Sequence, residues 1–214
     1  MSNSRSTLPA LLAAALLAAA CGSGAGGPPP GSAPAPGQRP GQRAPVPPPP
    51  TFETRNVAPA RAELRDLEGR VVGTATFTQA PHGVIMVAEL TGLPAGTKAM
   101  HIHDVGRCEP PFTTAGAHYN PGLRQHGFRS RNGYHAGDLP NFTAPATGTA
   151  RVEAVSQAFV LGAGATTLFD GDGSSIMIHS AADDYESDPG GNAGTRIACG
   201  VVTRATPAAA PSGQ

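Results

Sequence analysis

The segment VVGTATFTQAPHGVIMVAEL, residues 71–90, decides the fold that this sequence predicts. It contains two runs rich in Val, Ile, Thr and Phe, and a Pro-His-Gly turn separates them. β-Branched and aromatic residues favour strands, and short runs of them on either side of turn residues indicate antiparallel strands joined by a hairpin. We therefore expect two neighbouring antiparallel strands in this segment.

The same pattern continues on both sides of this hairpin. Short runs of similar composition recur every ten residues or so with Gly, Pro or Asp between them, and no segment has a long helical period. Seven or eight strands with this spacing fit a sandwich or a small barrel. Further strands are expected in ARAELRDL (60–67), KAMHIHDV (98–105), GTARVEAVSQAFVL (148–161), SSIMIHS (174–180) and RIACGVVTR (196–204).

Two long segments interrupt the rhythm of the strands, at residues 104–148 and 180–195. Loops of this length inside a compact domain are usually either functional or disordered. In the second segment, Ser180 followed by Asp183 predicts one short helical turn. The expected fold class is an all-β, Greek-key antiparallel β-sandwich or flattened barrel with two long functional loops.

The N-terminus carries a short apolar run, LPALLAAALLAAA at residues 8–20, followed at once by Cys21. These thirteen residues are too few to span a bilayer as a helix, but they suit the core of a signal peptide. The sequence AAAC at the end of the run resembles the lipobox of bacterial lipoproteins, in which the cysteine is lipidated. We expect residues 1–21 to be a signal peptide with lipidation at Cys21; the alternative is an ordinary secretory signal cut nearby. Both predict export to the cell envelope or periplasm, and the first adds a lipid anchor to the membrane.

Composition sets the limits of the folded domain. Residues 22–51 contain 11 of the chain's 23 prolines and almost nothing apolar to bury, so residues 22–54 are expected to be a disordered linker rich in Pro and Gly. The tail, residues 205–214, is expected to be disordered as well. The folded domain is therefore expected at residues 55–204.

The total charge limits the possible partners, and the cysteine content bears on a disulfide. Fifteen basic and fifteen acidic residues cancel, so nothing in the total charge indicates a nucleic-acid partner or a polybasic membrane patch. Once Cys21 is lipidated or removed, the domain keeps only Cys108 and Cys199. An isolated pair in an oxidising compartment most often forms a disulfide.

Six of the seven histidines fall between residues 101 and 179, whereas His82 is an outlier that we interpret as a solvated turn residue without a role. His101 and His103 are two apart on a predicted strand, so both side chains share one face. Six histidines and Asp138 make seven candidate ligands, whereas two four-coordinate sites need eight. One shared imidazole would close the gap. The count suggests a two-metal centre with a bridging histidine.

These residues carry a resemblance to a known family. The segments HIHDVGRC (101–108), TTAGAHYNP (113–121), HGFRSRNGYHAGDLPN (126–141), MIHSAADDY (177–185) and GNAGTRIACGVV (191–202) resemble the motifs of the copper,zinc superoxide dismutase family, in the family's order and close to its spacings. The resemblance extends over residues 57–203. It implies an enzyme that converts superoxide to oxygen and hydrogen peroxide by one-electron cycling of a His-bound copper that is bridged to a structural zinc. It also supports the β-sandwich expected from the strand pattern.

The resemblance implies a role for each candidate site residue. His118 would bridge the two metals and deliver a proton, and Arg196 would dock the superoxide anion. Asp183 would link the free ring nitrogens of a copper ligand and a zinc ligand, and Cys108 would pair with Cys199. The implied ligands are His101, His103, His118 and His179 for copper, and His118, His126, His135 and Asp138 for zinc.

Alternatives from other functional classes stay open at this point. An exported copper/zinc-binding protein of the same fold without dismutase activity would be favoured by the loss of a copper ligand or of Arg196, and a copper-only dismutase would lack zinc ligands. A zinc hydrolase needs a general base, but no glutamate stands beside the histidines. Without its surrounding motif, Arg196 would be read as a surface arginine. The expected partner is superoxide, and a homodimer is left open.

Overall fold

The computed structural model describes residues 47–49 and 51–205. The chain divides into two units, Met1–Pro47 and Pro48–Gln214, and the second contains the fold described below. The predicted signal peptide, Cys21 and nearly all of the predicted tail lie outside the described residues. Within residues 47–49 and 51–205, no helix combines the length and the apolar character that a membrane span requires.

The described part of the chain is built from antiparallel strands and one 3₁₀ helix, Thr113–Ala115. Its strands are β1 (Ala60–Asp66), β2 (Val71–Ala80), β3 (Gly83–Leu90), β4 (Gly96–Lys98), β5 (Met100–His103), β6 (Phe142–Ala144), β7 (Ala150–Ser156), β8 (Ser175–His179), β9 (Arg196–Val201) and β10 (Thr203–Arg204).

The main sheet has the strand order β5-β8-β9-β1-β2-β3-β7, with β10 also paired to β1. The opening segment forms the expected hairpin, in which β2 and β3 pair without interruption from Gly73↔Leu90 to Ala80↔Gly83. β9 returns from far along the chain to pair with β1, which is the kind of crossover that a Greek key requires. β4 and β6 form a separate two-stranded sheet. The predicted all-β antiparallel class is confirmed.

Alternating burial explains why these runs form strands around one core. In β1, Ala60, Ala62 and Leu64 are buried while the residues between them are exposed. The same core contains Ile102 from one edge strand of the main sheet and Ala154 from the other. The sheet therefore curls, so that both of its ends pack on one apolar interior.

The two long connections are found close to the predicted positions. The first long loop runs over residues 104–141, ending earlier than expected because β6 forms inside the predicted segment. The second long loop occupies residues 180–195. Its predicted helical turn is wrong, because the hydroxyl of Ser180 accepts the backbone N–H of Thr195 across the loop (2.9 Å). The two legs of that loop pair with each other, as in Ala181 N to Ala193 O (2.9 Å).

Candidate metal centre

The first long loop docks along the free edge of β5. The backbone N–H of Ile102 donates to Gly137 O, and Ile102 O accepts from Tyr119 N, both at 2.8 Å. Gly137 N also donates to Tyr119 O at 2.8 Å. A Cβ on Gly137 would lie 2.2 Å from Ile102 O, so only glycine permits this close approach. The loop therefore completes the edge strand with hydrogen bonds that the sheet leaves open.

This docking brings histidines of the strand and of the loop together. Isolated bridges pair His101 with Asp138 and His103 with His118. Ile102, between the two strand histidines, packs in the core. The period of two then directs His101 and His103 to the opposite face, where the loop supplies its own side chains.

Four buried imidazoles form the first cluster. The ligand atoms that they offer all lie within 4.8 Å of one another. Nδ1 of His101, Nε2 of His103 and both ring nitrogens of His179 are buried without a hydrogen-bond partner among residues 47–49 and 51–205. A buried polar atom without a partner is costly, so these nitrogens indicate a bound ion. We call this set the four-histidine group: His101, His103, His118 and His179.

Asp138 organises a second cluster. Its Oδ1 lies 3.0 Å from Nδ1 of His118 and 3.1 Å from Nδ1 of His126. Its Oδ2 accepts the backbone N–H groups of Gly127 (2.9 Å) and His135 (3.0 Å), which fix the carboxylate. His118 belongs to both clusters. We call this second set the Asp138 group: His118, His126, His135 and Asp138.

Asp183 contacts one ring of each cluster. Its Oδ2 lies 3.0 Å from Nε2 of His101, and its Oδ1 lies 2.9 Å from Nε2 of His126. Asn141 holds the Asp183 backbone in place, since its side chain accepts Asp183 N (2.9 Å) and donates to Asp183 O (2.8 Å). Tyr185 N donates to Asp183 Oδ1 at 2.6 Å. One carboxylate therefore orients a ring of each group.

Burial keeps most of the four-histidine group neutral. It lowers the pKa of His103 well below the usual value, and neighbouring imidazoles and Arg196 add to the effect. Burial likewise lowers the pKa of His118 to about 4 and that of His179 to about 3. A neutral imidazole keeps a lone pair for a metal ion at neutral pH. These rings are therefore available as ligands.

His126 responds in the opposite direction although it shares Asp138 with His118. Burial by itself lowers the pKa of His126, but hydrogen bonds to Asp138 and Asp183 overcome this and raise the pKa to about 9. His118 has only one carboxylate partner, and its ring lies tilted against the ring of His101, with centroids 4.0 Å apart. In the metal-free protein His126 therefore carries the proton that a metal ion would displace.

Both carboxylates are held in their charged form. Burial by itself raises the pKa of Asp138, but hydrogen bonds from His118, His126 and His135 outweigh it and hold the pKa far below the usual range. The same balance, with bonds from His101 and His126, lowers the pKa of Asp183. Asp138 and Asp183 share a single imidazole with a raised pKa, His126. Two buried negative charges with one such partner favour the binding of a cation here.

Arg196 lies beside the four-histidine group at the start of β9. Its Nη1 donates to Phe112 O and its Nη2 to Gly116 O, both at 2.6 Å. Gly116 O also accepts Nδ1 of His103 at 3.1 Å. Burial lowers the pKa of Arg196, and its charge contributes to the lowered pKa of His103 and His179. The guanidinium is therefore held next to the four-histidine group. Its remaining N–H groups can donate hydrogen bonds to an anion.

A disulfide anchors the part of the first long loop that positions Arg196. Cys108 and Cys199 are bonded, with their Cα atoms 5.5 Å apart. Beneath the bond, Phe112, Ala115 and Met177 form a small apolar cluster with Cys199. This cluster fixes the backbone whose carbonyls at Phe112 and Gly116 hold the guanidinium.

Every metal ligand predicted from the sequence lies in one of the two groups. Asp183 contacts a ring of each group, and Arg196 shares the carbonyl of Gly116 with His103. Sequence reasoning did not identify Asn141, which clamps Asp183, or the carbonyl of Gly116, which joins His103 and Arg196. Neither residue carries a sequence signal for these roles, because an amide or a backbone carbonyl becomes informative only once its partner is known. His82 lies apart, exposed in the turn between β2 and β3.

The donor sets fit copper and zinc. Imidazole suits both ions, and a set of four imidazoles matches a redox-active copper site. Three imidazoles with one carboxylate form a four-ligand set that zinc accepts in tetrahedral sites. The buried nitrogens without hydrogen-bond partners in the four-histidine group are free to coordinate such an ion.

Known proteins share both the sequence and the fold. The family model of copper/zinc superoxide dismutase (SODC) matches residues 71–202. The chain is 43% identical over 146 residues to superoxide dismutase (Cu-Zn) 2 of Aquifex aeolicus (strain VF5), covering 67% of this chain and 85% of that protein. It is 32% identical over 148 residues to the extracellular superoxide dismutase (Cu-Zn) of Caenorhabditis elegans, covering 66% and 65%.

Among solved structures, the crystal structure of a SOD-like protein from Bacillus subtilis matches with a TM-score of 0.64 and 35% sequence identity. This match covers 66% of this chain and 96% of that one, which agrees with the share of the chain that forms the β-domain. The chain belongs to the copper/zinc superoxide dismutase family.

Proposed function

We propose that this protein is a superoxide dismutase, which converts two superoxide anions and two protons into oxygen and hydrogen peroxide. The observation that carries the proposal is that His118 belongs both to a cluster of four buried imidazoles and to a cluster built around a buried carboxylate. Copper would be held by the four-histidine group, and zinc by the Asp138 group. When bound, copper supplies one-electron chemistry, whereas zinc has no redox chemistry.

His118 is the residue proposed to move a proton. Its Nδ1 faces Asp138, and its ring belongs to both groups and contacts the ring of His101. The second ring nitrogen can then take up a proton when it is not ligated and return it to the departing peroxide. The Asp138 group keeps the ring in place during this exchange, because it holds the other nitrogen.

Arg196 is proposed to bind the anion. Its two hydrogen bonds to backbone carbonyls fix the plane of the guanidinium beside His103. An arginine held in this way attracts superoxide by charge and orients it by hydrogen bonding, without the side-chain entropy that a free surface arginine would lose.

Export and anchoring are part of the proposal. The apolar run at residues 8–20 and the following AAAC support a signal peptide at residues 1–21 with lipidation of Cys21, and residues 22–54 would then link the membrane to the domain. Periplasmic or envelope location agrees with the Cys108–Cys199 disulfide, since disulfides persist in oxidising compartments. Assembly as a homodimer stays a prediction.

The test compares His179→Ala with a matched control, His82→Ala, in protein loaded with copper and zinc. Removing one of four copper ligands should abolish at least about 99% of superoxide consumption, since 10²-fold losses accompany the misplacement of a catalytic group. Copper content should fall while zinc content is kept, because His179 is not a member of the Asp138 group. The control, which removes an exposed histidine of the β2–β3 turn, should retain both metals and full activity.

Two results would reject the proposal. Full activity of His179→Ala would show that the four-histidine group is not the reaction site. Wild-type protein with one copper and one zinc per chain but no superoxide consumption would favour a metal-binding protein of the same fold over an enzyme.

A further inference from the structure

The three histidines of the Asp138 group direct one ring nitrogen each toward the same carboxylate oxygen. Nδ1 of His118, His126 and His135 lies 3.0, 3.1 and 3.4 Å from Asp138 Oδ1. Nδ1 is therefore the nitrogen that each ring offers to a metal ion in this group. A histidine bound through one ring nitrogen almost always donates the N–H of the other to a carboxylate, a carbonyl or water. Nε2 of His126 and of His135, which the four-histidine group does not share, should each have such a partner.

The partner of His126 is Asp183, whose Oδ1 lies 2.9 Å from Nε2. On His135, Nε2 lies 3.8 Å from Asp188 Oδ1. Among residues 47–49 and 51–205, Asp188 is the single Asp or Glu with an oxygen within 4.0 Å of that nitrogen. The carboxylate of Asp188 thus faces the ring of His135 across a gap slightly longer than a hydrogen bond.

The same oxygen of Asp188 is already bonded to a second zinc-type ligand. Asp188 Oδ1 accepts the backbone N–H of His126 at 2.7 Å. His126 and His135 both belong to the first long loop, whereas Asp188 belongs to the second. One carboxylate therefore joins the two loops at the Asp138 group, through the backbone of one histidine and the ring of another.

The backbone on either side of Asp188 is held by hydrogen bonds within the second long loop. Asp184 Oδ1 accepts the backbone N–H of Ser187 at 2.8 Å, and Ser187 O accepts that of Gly191 at 2.6 Å. The side chain of Asp188 is 52% exposed and lines a cavity with His135 and Arg124. In the part of the chain that the structure describes, Arg124 forms no ion pair with Asp188, so the carboxylate is not engaged by that cation.

We propose that Asp188 is a positioning residue of the zinc site, where its carboxylate accepts the Nε2 proton of zinc-bound His135 and keeps the backbone of His126 in place. This inference rests on the zinc site of the proposed function. Within residues 47–49 and 51–205, Asp188 forms no hydrogen bond or ion pair with the four-histidine group. Its effect is therefore confined to zinc, whereas Asp183 contacts a ring of each group.

The experiment measures zinc and copper affinities of the full chain, starting from metal-free protein, by competition with a chelator. Asp188→Asn keeps an oxygen that can accept His126 N, but it removes the charge that faces His135. We expect zinc binding to weaken by about 10-fold, the lower end of the effect of such partners, because Asp188 is half exposed. Copper binding should change by less than about twofold. Asp188→Ala removes both contacts and should weaken zinc binding further, by up to about 100-fold.

Glu186→Gln is the matched control, because it removes an equal charge from the same loop. Glu186 is exposed, and its side chain forms no hydrogen bond or ion pair among the described residues. Its zinc affinity should stay within about twofold of the wild type. Cobalt(II) bound in place of zinc reports the ligand geometry by its visible absorption, which should shift in Asp188→Asn and not in Glu186→Gln.

Equal zinc affinities in Asp188→Asn and Glu186→Gln would overturn the proposal, even if Asp188→Ala bound zinc weakly, because Asp188 would then only hold the backbone of His126. Equal losses of copper and zinc would overturn it as well. The proposed function is tested separately in the wild type. If that protein bound both metals but did not consume superoxide, the dismutase activity would be rejected while the role of Asp188 in zinc binding would stand.

Discussion

At the scale of single residues, the buried carboxylates of Asp138 and Asp183 influence which histidines of the site are protonated. Both stay charged because several imidazoles and backbone N–H groups donate to them. Asp183 contacts His101 and His126 through their Nε2 atoms, which are the ring nitrogens that the proposed metals do not use. It therefore acts through those rings, by fixing their orientation and tautomer.

Asp183→Asn is expected to weaken binding of both metals by about 10- to 100-fold, since an amide cannot accept from both rings as the carboxylate does. Asp184→Asn is the matched control, because the side chain of Asp184 bonds only within its own loop, to Glu186 N, Ser187 N and Asn192. Competition with a chelator measures both affinities. Equal affinities in the two variants would mean that Asp183 does not position the ligands.

At the scale of elements, the site depends on two loops that pack on each other and on the edge of β5. Gly127 lies at their contact, where a Cβ would be 2.0 Å from Tyr185 O, and its φ is +94°. Any larger residue would have to push the two loops apart and would also adopt a strained backbone. The Asp138 group would be disturbed with them, because Gly127 N donates to Asp138 Oδ2.

Gly127→Ala is therefore expected to lower the free energy of unfolding by about 1–3 kcal/mol and to weaken zinc binding more than copper binding. Gly171→Ala provides the control: a Cβ there meets nothing within 4 Å and its φ is not positive, so the change should stay within about 0.5 kcal/mol. Urea unfolding measures the stabilities. A Gly127→Ala protein as stable as the control would show that the loop contact tolerates a side chain.

At the scale of the whole molecule, the histidine pKa shifts predict a pH of maximal stability for the metal-free protein. His118 and His179 have folded pKa values of about 4 and 3, against 6.5 when unfolded, so the unfolded chain takes up their protons first as the pH falls. Stability from their burial is therefore present above pH 6.5 and lost below it. His126, with a folded pKa of about 9, acts oppositely: its stabilisation is complete below pH 6.5 and lost as the pH rises toward 9.

The expected result is maximal stability of the metal-free protein near pH 6.5, where the two effects meet. Below this pH the free energy of unfolding should fall by about 1.4 kcal/mol per pH unit for each such histidine. His179→Phe removes one titrating histidine, so this slope should decrease by about 1.4 kcal/mol per pH unit. Urea unfolding at a series of pH values measures the free energy of unfolding. If that free energy did not change between pH 6.5 and 4, the result would contradict the burial of His118 and His179.

The sequence by itself determined the strands of the main sheet, the second long loop and the identity of the candidate ligands, but not β6, which forms inside the predicted first loop. Alternation of apolar and polar residues is local, so β1, β2 and β3 could be predicted from their own residues. The histidines could be singled out because imidazole is a scarce and chemically specific donor. The resemblance to the family motifs assigned each of them to a copper or a zinc ligand set.

Only the tertiary structure decided how these residues meet. The docking of Ile102 against Gly137 and Tyr119, the clamp of Asn141 on Asp183 and the hold of two carbonyls on Arg196 all join residues far apart in the chain. The opposite pKa shifts of His118 and His126 likewise depend on distances in space. Hydrogen bonds and electrostatic interactions act through space, whereas sequence patterns record only what is adjacent along the chain.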